Sequence, residues 1–183
     1  MPILPATNRA EVQRMNRNIV LFGFMGCGKT TVGTELAHNT RRELVDTDAL
    51  IEQSEGMSIS EIFATHGESY FRDREHEICC ELAARERLII SAGGGALTFR
   101  RNIDALRKGC ELVLIDVPPE VIYERLKYDT TRPLLQSGDM LTAIRDLYAR
   151  RDAIYREAAD HTVNGDQPRG FVALDIMKAV GIL

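Results

Sequence analysis

The sequence predicts an α/β domain in which a central five-stranded parallel sheet carries helices on both faces. Two observations carry that prediction. Apolar, β-branched runs alternate with helical patterns from Met15 to the end of the chain, and parallel strands joined by helices are covered on both faces. The residues suited to chemistry fall just after strand ends, on the edge where such sheets bind ligands. A chain of 183 residues suits one core and leaves little room for a second.

Asn18–Phe22 reads as the first strand, followed by a glycine-rich turn and a helix over about 29–38. Residues 43–45 form a short strand that runs into Asp46-Thr47-Asp48. Two short helices follow, the second opened by the capping box Ser58-Ile59-Ser60-Glu61. A longer helix over about 68–85 precedes the apolar strand Leu88–Ser91, which leads into Gly93-Gly94-Gly95. A helix near 100–108 and a strong strand at 111–117 come next, and Pro118 and Pro119 open another helix in the position proline favours. A long helix over about 140–159, a weak strand at 162–163 and a last helix complete the alternation.

Composition narrows the function. The chain is 44% hydrophobic and 27% charged, with a net charge of −4, which argues against nucleic acid or an anionic membrane as the main partner. Its arginine pairs are scattered among acids. No apolar stretch approaches a membrane span, and the N-terminus lacks a basic segment followed by a long apolar one. Cys27, Cys79, Cys80 and Cys110 have neither metal spacing nor the pattern of a disulfide framework, so a reduced cytoplasm is expected. The chain is also expected to be a monomer. Residues 1–14 contain two prolines and no period, and are read as a loose tail ahead of a single domain over 15–183.

The strongest motif is Gly23-Phe24-Met25-Gly26-Cys27-Gly28-Lys29-Thr30, which fits G-x-x-x-x-G-K-[ST] at every fixed position. It follows an apolar strand and opens a helix, the context such a phosphate-binding loop requires. Glycines let the backbone turn its N–H groups onto a phosphate chain, and the helix presents its positive end to the same anion. The fold expected is therefore a P-loop NTPase-type three-layer sandwich. Gly26, Cys27, Gly28, Lys29, Thr30 and Thr31 are candidates for the nucleotide, with Lys29 on the β and γ phosphates and Thr30 on Mg²⁺. Cys27 reads in two ways: a thiol activated beside Lys29 and the helix N-terminus, or a small core filler.

Asp46 and Asp48, two residues apart at a strand end, project to the same side of an extended chain. One carboxylate could hold Mg²⁺ through water and the other orient or deprotonate an acceptor hydroxyl; Asp48 could equally cap the next helix. Gly93, Gly94 and Gly95 read as a substrate-facing turn or a merely flexible one. Arg151 lies within the apolar stripe of the long helix, among Leu147, Tyr148, Ile154 and Tyr155, where a charge is costly unless paired. It reads as an anion-binding arginine or a snorkelling one. Arg72 has Glu75 three residues on, which a helix-surface ion pair would explain. Arg132, beside Pro133 and ahead of Ser137-Gly138-Asp139, sits in what reads as a mobile loop, and such a guanidinium can neutralise a phosphoryl group in transit.

Taken as an ordered set, the glycine-rich loop, Asp46-Thr47-Asp48, Ile62-Phe63, Gly67-Glu68, Phe71-Arg72-x-x-Glu75, Gly93-Gly94-Gly95, Arg132-Pro133-Leu134-Leu135 and Arg150-Arg151-x-x-x-Tyr155 resemble the shikimate kinase family from Met15 onward. The resemblance implies transfer of the γ-phosphoryl of MgATP to the 3-hydroxyl of shikimate, in aromatic amino-acid biosynthesis. It implies that Arg72 and Arg151 hold the substrate carboxylate, that Asp48 meets the ring hydroxyls beside the Gly93–Gly95 turn, and that Mg²⁺ takes Thr30 with Asp46 in its outer shell. Arg132 becomes a lid arginine on ATP, and Arg125 and Gln167 lie near the adenine. A sugar-acid kinase of the gluconate type and a catalytically silent nucleotide-binding module stand as alternatives.

Overall fold

The computed structural model describes residues 16–128 and 139–183. The 1–14 tail, Arg132 and the expected lid lie outside the described residues. Five parallel strands, β1 (Asn18–Phe22), β2 (Glu43–Asp46), β3 (Leu88–Ser91), β4 (Cys110–Asp116) and β5 (His161–Asn164), form one sheet in the order β2-β3-β1-β4-β5. The helices are α1 (Lys29–Thr40), α2 (Thr47–Glu55), α3 (Ile59–Ala83), α4 (Arg100–Leu106), α5 (Pro119–Leu126), α6 (Met140–Ala158) and α7 (Arg169–Ala179), with a 3₁₀ turn at Ala96–Thr98.

Strand β1 is buried along its whole length, and its period of two divides the interior. Val20 and Phe22 face a core that includes Ile62, Phe71, Leu82 and Tyr155, while Ile19 and Leu21 face one that includes Val32, Leu36, Ile122 and Ile176. The sheet is thus a wall between two cores, as the expected sandwich requires.

Asn18 opens β1 fully buried, and its amide is satisfied on both sides. Nδ2 donates to the carbonyls of Leu82 (2.9 Å) and Arg85 (2.8 Å), and Oδ1 accepts from the Leu88 N–H (2.9 Å). That one side chain ties the end of α3 to the start of β3.

The second short helix and the longer one after it are joined. They form one element, α3, kinked at Gly67, whose φ of 82° and ψ of 172° are not helical. The capping box at its start is present as read, with Ser58 and Glu61 satisfying each other's backbone. The kink re-aims the second half of the helix, which carries Arg72.

Candidate active site

The loop between β1 and α1 takes its shape from three glycines. Gly23, Gly26 and Gly28 have φ values of 150°, 75° and 97°, the region L side chains avoid. A Cβ on Gly23 would also stand 2.6 Å from the Ile115 carbonyl oxygen. Lys29 Nζ bends back over the loop and donates to the carbonyls of Gly23 (3.2 Å) and Phe24 (3.3 Å). Thr30 Oγ1 lies 3.5 Å from Ser91 Oγ at the end of β3. Next to the loop is a cleft of about 280 Å³ lined by Lys29, Thr30, Asp46, Asp48, Gly93 and Gly94, among others. The sheet has brought the ends of β1, β2 and β3 together there.

The two aspartates divide their work differently from one sequence reading. Asp46, not Asp48, caps α2: its Oδ1 accepts from the N–H groups of Asp48 (3.0 Å) and Ala49 (3.3 Å). Asp48 sits in the first helical turn, where its backbone is already committed, and its side chain is left to line the cleft. Burial, and then the Asp46 charge, push the Asp48 carboxyl above its ordinary range, while Lys29 pulls the other way.

Gly93 and Gly95 make room for functional side chains, and Gly94 between them offers its carbonyl. A Cβ on Gly93 would overlap the Asp48 carboxylate. The Gly94 carbonyl accepts from Arg151 Nη1 (2.8 Å) and from the Tyr155 hydroxyl. A Cβ on Gly95 would stand 3.0 Å from Arg72 Nη1. The turn is held in place by the Gly93 N–H, which donates to Thr47 Oγ1 at 2.8 Å.

Arg72 is far more than a surface ion-pair member. Its guanidinium lies against the rings of Phe71 (5.1 Å) and Phe99 (4.9 Å) and bridges exposed Glu68 and Glu75, both at 3.2 Å. Glu75 is only 1% exposed. Burial raises its carboxyl above the usual range and the Arg72 charge opposes that shift. Arg151 reaches Gly94 from α6, with Phe24 under its guanidinium at 6.0 Å. Its head therefore points to the same turn as Arg72, not out to solvent. Among the described residues the sequence reading left Glu75, Asn102, Thr47 and Tyr155 without site roles. Glu75 had its spacing of three from Arg72, which reads equally as a surface pair, and Thr47 and Tyr155 stood in the ordered motifs without a role of their own; Asn102 had no signal.

Arg125 and Gln167 gather at a separate cleft of about 310 Å³, across Gly26–Gly28 from the first. Arg125 donates to the carbonyls of Gly26 (3.2 Å) and Gly165 (3.0 Å), and Gln167 Nε2 bonds Asn164 O (3.0 Å) and Asp175 (2.8 Å). The two clefts share Gly26, Gly28 and Thr31, so the second adjoins the first across the phosphate loop.

No group of three or more His, Cys, Asp or Glu residues among the described residues could hold a metal ion by itself. The donor set at the loop, Thr30 and the second oxygen of Asp46, suits Mg²⁺ that keeps most of its water and phosphate ligands. Cys27 is 2% exposed and packs with Phe24, Val32 and Leu36 in the core, though its Sγ lies 3.7 Å from Lys29 Nζ. That position matches the filler reading, not that of an open nucleophile. No helix among the described residues is long and apolar enough to cross a membrane.

Residues 25–180 match the family described as shikimate kinase. A shikimate kinase of Halorhodospira halophila is 43% identical over 169 residues, which are 91% of this chain and 95% of that one. The structure of the Acinetobacter baumannii shikimate kinase in complex with shikimate superposes with a TM-score of 0.85 at 37% identity, covering 94% of this chain and 97% of that one. A gluconokinase of Sinorhizobium meliloti covers 91% of this chain and 92% of its own with a TM-score of 0.56 at 19% identity, a likeness of fold alone. With its loop, paired aspartates and glycine turn in this arrangement, the chain belongs to the shikimate kinase family.

Proposed function

We propose that this kinase transfers the γ-phosphoryl group of ATP to the 3-hydroxyl of shikimate, giving shikimate 3-phosphate and ADP. The observation that carries the reading is the glycine turn. Gly93, Gly94 and Gly95 set Asp48, Arg151 and Arg72 around one backbone segment beside the phosphate loop. Two guanidiniums converging on a turn suit a carboxylate, which arginine forks grip in two-point geometry. A carboxylate on the cleft wall suits the hydroxyl that must lose its proton.

In this assignment the loop N–H groups and Lys29 hold the phosphates, and Arg125 and Gln167 flank the base. Bound Mg²⁺, carried by Thr30 and through water by Asp46, would neutralise charge on the β and γ phosphates. Asp48 orients the acceptor hydroxyl and takes its proton; the raised affinity of its carboxyl for a proton favours that task. Arg132 is assigned to the moving phosphoryl group on sequence grounds. Arg72 and Arg151 hold the acid end of the substrate, so that orientation rather than new chemistry lowers the barrier.

Gluconate also carries a carboxylate and hydroxyls, and the fold is shared with gluconokinases. A coupled ADP-release assay separates the two. With MgATP, ADP release is expected to depend on shikimate and to stay at background with gluconate. Gluconate-dependent release, or no release with either acid in folded protein, would overturn the assignment.

A further inference from the structure

We propose that Cys80 is a modification site: a surface thiol that His76 activates for exchange with small disulfides, and whose capping weakens shikimate binding. The second half rests on the reading of Arg72 as a carboxylate clamp.

Cys80 is the exposed one of the four cysteines; Cys27, Cys79 and Cys110 are buried. It lies one turn after His76 on α3, with Sγ 3.6 Å from His76 Nε2. The other ring nitrogen, Nδ1, lies 2.9 Å from Asn102 Oδ1. The direction of each bond follows from Asn102, which is fully buried. Its Nδ2 faces the Ala96 carbonyl (3.0 Å) and Glu75 Oε2 (3.4 Å), a carbonyl that can only accept and a carboxylate. The amide orientation is thereby settled, and Oδ1 is the atom turned to His76. An oxygen can only accept, so His76 Nδ1 carries the proton in the neutral ring. Nε2 is then a bare acceptor aimed at the thiol. A cysteine, a histidine and an asparagine in this relation are a nucleophile, its base and the group that orients the base.

Cys80 Sγ gives its proton to His76 Nε2 as it attacks one sulfur of a small disulfide. The S–S bond breaks, a mixed disulfide forms on Cys80, and the departing thiolate takes the proton from His76 and leaves as a free thiol. The neighbouring thiols do not compete: burial pushes Cys79 up to about 12 and Cys110 up to about 11.

The same bonds lead to the substrate. From His76 the path runs through Asn102 to Glu75 Oε2, and Glu75 is the buried partner of Arg72 at 3.2 Å. A capped Cys80 no longer donates to Nε2 and places a bulky group on His76. The network that positions Arg72 is disturbed on the shikimate side, away from the nucleotide loop.

The test treats the full chain with glutathione disulfide and follows each cysteine by peptide mass mapping. Before treatment, unmodified enzyme is assayed with shikimate and MgATP; failure there counts against the kinase reading, while labelling rates need no turnover. Cys80 is expected to take the first adduct, and His76→Ala and His76→Gln to slow it by about a hundredfold, the low end of what a general base supplies. The glutamine variant keeps a polar partner for Asn102 and guards against a folding defect. Full capping is expected to raise KM for shikimate about fivefold, a typical coupling, with KM for MgATP unchanged. Cys80→Ser should keep the basal kinetics and lose the response. Equal labelling in both His76 variants, or first labelling at another cysteine, overturns the site; an unchanged shikimate KM in fully capped enzyme overturns its effect.

Discussion

Asp48 illustrates how a residue's role depends on its neighbours rather than its type. Asp46 caps α2, so Asp48 is released to face the cleft, where burial and the Asp46 charge hold its proton more tightly than water would. Its folded pKa lies above the unfolded value, so ionisation costs stability. That cost grows as pH rises from the ordinary carboxylate range through the folded pKa, and is complete above it. Asp48→Asn is therefore expected to raise the melting temperature at neutral pH while lowering kcat about a hundredfold, with MgATP affinity kept. Thermal melts and steady-state kinetics on one preparation check this, and a lower melting temperature with normal kcat would contradict it. The pair of aspartates was legible in the sequence, but not which one caps. The spacing of two fits both arrangements, and only the helix start at Thr47 decides between them.

At the scale of elements, α3 and α6 each deliver one arginine to the glycine turn, by different means. Arg151 was legible because an apolar stripe on α6 makes a charge conspicuous. Arg72 looked ordinary, since the burial of Glu75 depends on α4 and the 3₁₀ turn packing over it, and no local pattern reports that. The difference has a measurable consequence. Arg151→Ala removes a contact to Gly94 and leaves no carboxylate behind, whereas Arg72→Ala strands Glu75, which is 1% exposed. Both variants are expected to weaken shikimate binding, by calorimetry, with ATP affinity kept. Arg72→Ala alone should also lose on the order of 3 kcal/mol of stability in denaturant titrations. Equal stability of the two variants would mean that Glu75 relaxes or takes up a proton at little cost. The kink at Gly67 belongs to this scale as well: two helical patterns were legible, but not that they join.

Across the whole molecule, the strand order β2-β3-β1-β4-β5 places the ends of β1, β2 and β3 around one cleft and continues it along β4 and β5. The order of elements, the sheet and the phosphate loop were legible because they rest on periodicity and on glycines at fixed spacing. What the glycine triplet serves was not, since its meaning lies in contacts with three helices far away in sequence. That turn gathers Asp48 on one side and Arg72 and Arg151 on the other, beside the phosphate loop, and the proposed transfer to shikimate rests on it. The most direct test is to incubate the protein with MgATP and shikimate and record the phosphorus NMR spectrum of the products. The account predicts ADP and one new phosphate monoester whose phosphorus couples to the ring proton at C3. A phosphate on another hydroxyl, or ADP with only inorganic phosphate, would contradict it.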